Sequence, residues 1–346
     1  MRKTNRKNVR QVIIFAVFLF AAIAIFVFLY FKNKPVEYYS RTEYLLGTYV
    51  TIRVASKDNS PTYLADAAFR DIKRIDEKYS HAEGSIVNLI NEAGEEGVEI
   101  DEETAFILSK AKEVARITDG AFDPTIYPVT VLWGFDDMNS EKSVPQDSEI
   151  EEVLSTVGYE NIVFDEDDQN FVRLLNGAEI DLAGIAKGYA VDSALKIIKS
   201  LDENATGYID AGGDIGIIGP KYGKSPWIIG IRNPRGSSEQ DVIEYIYLYD
   251  GSVATSGDYE NYFVENGIRY HHLLDSETGY PSRSGAMSST VISSSTMLAD
   301  AFATAAFVLG KKPGITFLPR NGALAFLILE DFSSYKSPGF EAYQSR

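Results

Sequence analysis

The chain has 346 residues, 45% hydrophobic and 24% charged, with no cysteine and a formal net charge of -17. That apolar content can bury a core, which excludes a fully disordered chain; the missing thiol excludes cysteine nucleophiles, thiolate metal sites and disulfides. Residues 1–34 hold seven lysines and arginines and no acid, leaving 26 basic against 50 acidic residues beyond, and so acidic a body excludes a nucleic-acid partner, because phosphate contacts need clustered Lys and Arg.

Residues 12–31 form a run of 20 residues without a charge. As a helix rising 1.5 Å per residue, such a run spans roughly the 30 Å hydrocarbon core of a bilayer. Five basic residues precede it and two follow, so residues 1–11 are expected in the cytoplasm as a basic tail, with the body outside the cell membrane. A cleaved signal peptide has a shorter apolar region and a small-residue cleavage site, and Phe31-Lys32-Asn33-Lys34-Pro35 offers none. The expectation is an uncleaved single-pass anchor, held by a helix and not by a lipidated cysteine. Residues 32–43 are polar and read as a linker, 44–330 as one catalytic body, and 331–346 as a C-terminal tail.

Within the body, β-branched alternation predicts a strand over 49–54. Apolar residues at helical spacing predict helices over 62–79 and 104–117, the second stopping at Thr118-Asp119-Gly120. A short strand pair follows over 162–175, then a long helix over 184–201. Strands are expected over 208–218, 227–231, 242–249 and 288–293, a helix over 297–309 and a last strand over 324–329. Helices and strands mix without strict β-α-β alternation, so the fold class is α+β.

Four constellations carry chemistry. The stretch from Asp181 to Asp192 opens a helix, where free N–H groups attract anions. Lys187 is expected in its first turn, where a cation opposes the helix dipole; either it answers a negative ligand, or it is a solvated lysine beside turn glycines. Asp210-Ala211-Gly212-Gly213-Asp214 reads as a turn, with paired glycines that also allow close approach of a ligand. Asp300 and Thr304 share one helix face among alanines, which suits a hard cation such as Mg2+ or, more simply, a helix cap at Asp300. Of the three histidines, His271 and His272 point opposite ways on a strand, so one of them can reach a given site as a base. His81 falls in a loop after the first body helix.

Together these segments resemble the FAD:protein FMN transferase, or ApbE-type, family. The resemblance runs from about Tyr44 to Leu329. It is carried by Leu46-Gly47-Thr48, Ser85 to Asn91, Gly120-Ala121-Phe122-Asp123-Pro124-Thr125 with Leu132-Trp133-Gly134-Phe135, Asp181 to Asp192 and Asp210 to Asp214, followed by Thr255-Ser256-Gly257-Asp258-Tyr259, His272 to Gly279 and Ala299 to Thr304. It implies a T-fold-like body that binds FAD, joins FMN to a Thr or Ser hydroxyl of an acceptor flavoprotein with a S/T-G-A-S/T type sequence, and releases AMP with the help of Mg2+. On that resemblance His272 is the base, and Asp300, Thr304 and the Gly184 carbonyl are metal ligands. Leu46, His81, Ala121, Phe122, Asp123, Asp181, Lys187 and Leu273 are flavin-nucleotide contacts. His81 stands where the family often has Tyr, and Ser276 where it usually has Pro after His-x-x-Asp. Two other readings differ in class: a pyrophosphatase giving free FMN and AMP, and an anchored, non-catalytic flavin-binding module. Ser284-Gly285-Ala286-Met287 approaches the acceptor sequence but fails at its last position.

Overall fold

A computed structural model describes residues 2–32, 37–137, 139–165, 169–238 and 240–344, with side chains for all of these except 2–10, 27–32 and 313. The chain divides into two units, Met1–Glu37 and Tyr38–Arg346. The first contains α1 (Arg2–Lys32). Its described side chains, 11–26, are all exposed, Phe15 at 70% and Phe20 at 76% among them. Among the described residues no helix is long and apolar enough to cross a membrane. The expected anchor at 12–31 runs past the last of those side chains, and part of the expected linker, 33–36, lies outside the described residues.

The second unit starts earlier than the sequence suggests. Strand β1 (Tyr39–Leu45) pairs along its whole length with β2 (Thr48–Ala55), from Tyr39↔Val54 to Leu45↔Thr48. The expected linker to residue 43 is therefore wrong over 39–43. This is an edge strand whose faces alternate between half-buried and exposed, and it carries too little apolar contrast for its period to stand out. Helix α2 (Pro61–Tyr79) begins with the Ser60 side chain capping the Tyr63 N–H and buries Leu64, Ala68, Ile72 and Ile75. After it come α3 (Ile86–Ala93), β3 (Val98–Glu99), α4 (Glu102–Ile117), α5 (Tyr127–Leu132) and α6 (Asp147–Leu154), then β4 (Ile162–Phe164) and β5 (Phe171–Leu174). The last two join β3 in a small sheet ordered β3-β5-β4.

Helix α7 (Ala183–Leu201) leads into β6 (Thr206–Ala211) and β7 (Asp214–Gly219). Gly212 and Gly213 make the turn between them, both at positive φ, so the strand expected over 208–218 is a hairpin. Then come β8 (Trp227–Arg232), β9 (Val242–Leu248), β10 (Ser252–Gly257), the hairpin β11 (Tyr262–Glu265) and β12 (Ile268–His271), and β13 (Ala286–Ser293). Helices α8 (Thr296–Leu309) and α9 (Lys311–Thr316) precede β14 (Ala323–Leu329) and β15 (Ser334–Lys336). Residues 331–344 are thus no tail. β15 pairs with β14, and Phe340 is fully buried against Phe326.

The main sheet has eight strands ordered β1-β2-β6-β7-β10-β13-β14-β15, with every neighbouring pair antiparallel. Helices α2, α7 and α8 cover one face, sealed by residues such as Ile52, Leu64, Val191, Phe302 and Leu327. The β8–β9 hairpin covers the other face through Trp227, Ile246 and Leu248 against Ile292 and Phe326. Strand β13 is buried at all eight positions, as a strand covered on both faces must be. An antiparallel sheet with helices gathered on one face is the α+β arrangement.

Candidate active site

Apart from His81, every residue expected as base, metal ligand or flavin-nucleotide contact lines one cavity of about 530 Å³, a volume typical of small-molecule sites. It opens where the starts of α7, the β1–β2 turn, the β6–β7 turn, the end of β10 and the α8 face converge. The β1–β2 turn uses Leu46 and Gly47, both at positive φ, with the Leu46 N–H held by Asp76 at 3.0 Å. Two such residues make the hairpin turn whose twist matches its strands, and a leucine there is strained, a condition common at ligand sites. Gly212 in the neighbouring turn packs on it, for a Cβ there would lie 2.3 Å from Thr48 Oγ1.

Lys187 sits at the fifth helical position of α7, one position later than the sequence suggested. The solvated reading fails: its ammonium lines the cavity, bonds directly to Asp214 and lies 3.7 Å from Asp300. Asp214 and Asp300 are 1% and 6% exposed, so two buried carboxylates share a single ammonium. Burial pushes the Asp300 carboxyl up, opposed by Lys187 and by the Gly188 N–H, which donates to Asp300 Oδ2 at 3.1 Å. Asp300 is no cap: Ser295 caps α8, and Asp192 of α7 accepts from Ser295 Oγ and from the Thr296 and Met297 N–H groups. One turn on from Asp300, Thr304 Oγ1 lies 3.2 Å from Ser256 Oγ.

His272 follows β12 directly. Burial brings its imidazole down to about 4, the Asn261 carbonyl opposing and Lys187 adding to the effect, so it is neutral at pH 7. Its Nδ1 lies 3.2 Å from the Asn261 carbonyl. A carbonyl only accepts, so Nδ1 carries the proton and Nε2 keeps a lone pair. His271 points the other way, buried edge-on against Phe307. The two neighbours divide as strand alternation requires.

Other candidates shape the walls. The Asp123 carboxylate is raised by burial and taken up by Thr125 at 2.6 and 2.8 Å and by the Tyr159 N–H at 3.0 Å; it braces the Gly120–Asp123 loop. Phe122 packs against Gly184, where a Cβ would meet its ring at 3.1 Å. His81 stays outside the cavity. It stacks on Tyr127 at 3.9 Å and reaches Asp181 at 3.2 Å, and Asp181 in turn takes the Ala183 N–H at 2.8 Å. Ser276 Oγ donates to the Gly120 carbonyl at 2.7 Å, tying the histidine loop to that wall. Sequence reasoning missed Asn261, which acts through its backbone and so leaves no side-chain signal. It also took Asp214 only as part of a turn, although two acids flanking paired glycines were visible.

The sequence pattern of the ApbE family matches residues 46–328. The chain belongs to the ApbE family. An ApbE relative from Haemophilus influenzae, named FAD:protein FMN transferase, is 32% identical over 250 residues, covering 71% of this chain and 72% of that protein. One of the same name from Treponema pallidum is 30% identical over 306 residues, covering 82% of each. Among solved structures, the ApbE protein from Thermotoga maritima is similar at a TM-score of 0.85 and 47% identity, over 90% of this chain and 100% of that one. The apo flavinyl transferase ApbE of Pseudomonas stutzeri is similar at 0.79 and 26%, over 91% and 99%.

Proposed function

We propose that this ApbE-family chain transfers FMN from FAD to a Thr or Ser hydroxyl of an acceptor protein, with AMP as leaving group. The observation that carries this reading is a neutral imidazole with a free Nε2, His272, in one cavity with Asp300 and Thr304. Nε2 accepts the hydroxyl proton as the oxygen attacks the FMN-side phosphorus and the bond to AMP breaks. Asn261 holds the ring in the required tautomer. The phosphates of a bound dinucleotide favour the charged imidazolium, which offsets the downward pull of burial at the moment the proton arrives.

The α8 pair offers a carboxylate and a hydroxyl, with Ser256 Oγ 3.2 Å from Thr304 Oγ1, and hard divalent cations prefer oxygen ligands. Two buried carboxylates facing one ammonium leave a surplus negative charge, and a cation would neutralise it. Asp300, Thr304 and the Gly184 carbonyl would hold Mg2+. When bound, the ion neutralises phosphate charge as the pyrophosphate bond opens. The cavity walls from Leu46, Ala121, Phe122, Asp181 and Leu273 are then available for FAD.

The all-apolar run at 12–31, with its basic flank, supports a single-pass anchor that leaves the body on the extracytoplasmic side. Flavoprotein acceptors facing that side are the fitting partners.

The test is incubation with FAD, Mg2+ and an acceptor peptide, followed by mass spectrometry. The expected product is a peptide carrying FMN through a phosphoester, with AMP released. Free FMN alone would make the enzyme a pyrophosphatase. His272→Ala is expected to lower transfer by about 100-fold or more while FAD still binds, and retained transfer would remove His272 from the base role.

A further inference from the structure

The β11–β12 hairpin springs from the cavity wall, where its flanking residues Asn261 and His272 both line the cavity. Asn261 immediately precedes β11 and His272 immediately follows β12, so the hairpin begins and ends on the pair that forms the base. Its register runs from Tyr262↔His271 to Glu265↔Ile268. The His272 N–H donates to the Asn261 carbonyl at 3.0 Å, and this fixes the alternation of the ladder. Asn261, Phe263 and Glu265 turn their backbone groups towards β12, whereas Tyr262 and Val264 turn theirs outward. The opposite edge agrees, since the outward carbonyl of Arg269, across from Val264, accepts from Arg283 at 3.3 Å.

On β11 no such filling occurs. Among the described residues nothing pairs with the backbone N–H or C=O of Tyr262 or Val264. Their side chains are 41% and 58% exposed. Natural edges are usually guarded by Lys, Pro or a bulge, and Tyr262-Phe263-Val264-Glu265 contains no Lys or Pro and pairs without a bulge. A bare edge of this kind can take an extended peptide as an added strand.

We infer that the free edge of β11 captures an extended segment of the acceptor as a third strand, delivering its Thr or Ser hydroxyl past Asn261 to His272. The inference rests on the transferase reading above. The occupant follows from position and size. The edge leads straight to the base, and it offers only the outward groups of two residues, which suits a transient substrate contact and not a stable dimer.

Val264→Pro tests it, because proline at an outward edge position removes one free N–H and no ladder bond. The probe is a peptide carrying Ser-Gly-Ala-Thr between apolar residues, with FAD and Mg2+, on the detergent-solubilised full chain. The variant is expected to raise KM for the peptide about fivefold or more, the loss of one hydrogen bond, with kcat and FAD affinity retained. An unchanged KM overturns the docking and leaves the transferase reading standing. If the wild type modifies no peptide or acceptor protein, the transferase reading itself fails and the docking with it. If Val264→Pro loses FAD binding, Val264→Lys, which keeps the N–H but guards the edge, must raise KM alike; an unchanged value again overturns the docking. A wild-type dimer in light scattering that Val264→Pro dissociates gives the edge to a second copy of the chain, and that too overturns it.

Discussion

At the scale of single residues, the site is governed by charges taken out of water. Lys187 is bonded to Asp214 and lies near Asp300, so removing Lys187 leaves two buried carboxylates uncompensated. Asp300→Ala is expected to abolish transfer and, with it, the response of the rate to added Mg2+, read by titrating the metal against activity; an active variant indifferent to the ion would remove Asp300 from the ligand set. The histidines make a second prediction. Burial brings both His271 and His272 from 6.5 to about 4. Between those values the unfolded chain binds protons that the folded chain refuses. Stability from these groups is therefore complete above about pH 6.5 and is lost as pH falls towards 4. Calorimetry across that window is expected to show Tm falling with pH, and His271→Gln is expected to flatten the slope.

At the scale of elements, the α7–α8 contact decides where Asp300 stands. Asp192 of α7 receives the first N–H groups of α8, where a carboxylate also complements the helix dipole. Gly188 lets the helices touch, since a Cβ there would sit 2.4 Å from the Thr296 carbonyl oxygen. Gly188→Ala must push α8 away and break the Asp300–Gly188 hydrogen bond. The expected loss is about 1–3 kcal/mol of stability, measured by denaturant unfolding, together with loss of transfer; wild-type activity would show that α8 has slack. The helices α2, α4, α7 and α8 were legible in the sequence because their apolar faces recur over several turns. The edge strand β1, the eight-residue α3, the β11–β12 hairpin and β15 were not. Each is too short, or too evenly polar, for a period to rise above its neighbours.

At the scale of the whole molecule, the chain divides into two units. The body Tyr38–Arg346 contains the eight-stranded sheet and the hydrophobic clusters on both its faces. A chain lacking residues 1–37 is expected to stay in the soluble fraction and bind FAD with unchanged affinity, whereas the full chain pellets with membranes; fractionation and flavin fluorescence check both. The acidic body must hold an anionic dinucleotide against its mean charge, and screening confines that repulsion to about 8 Å at physiological salt. Short-range groups therefore decide binding, and the sequence placed that burden on Lys187 at a helix start. In the fold Lys187 does line the cavity, but its ammonium is already bonded to Asp214.

By itself the sequence determined the α+β class, the long helices, the absence of thiol chemistry and the segments that carry the ApbE resemblance, because residue type and local spacing encode these directly. Only the tertiary structure decided that Lys187 serves two buried carboxylates, that the Asn261 carbonyl selects the His272 tautomer, that His81 stands behind Asp181, and that the chain beyond residue 330 completes the sheet. The Lys187 and His81 pairings join residues distant in the chain, 27 positions apart for Lys187 and Asp214 and 100 for His81 and Asp181. No local pattern records such a pairing, which exists only once the sheet and its helices have closed around it.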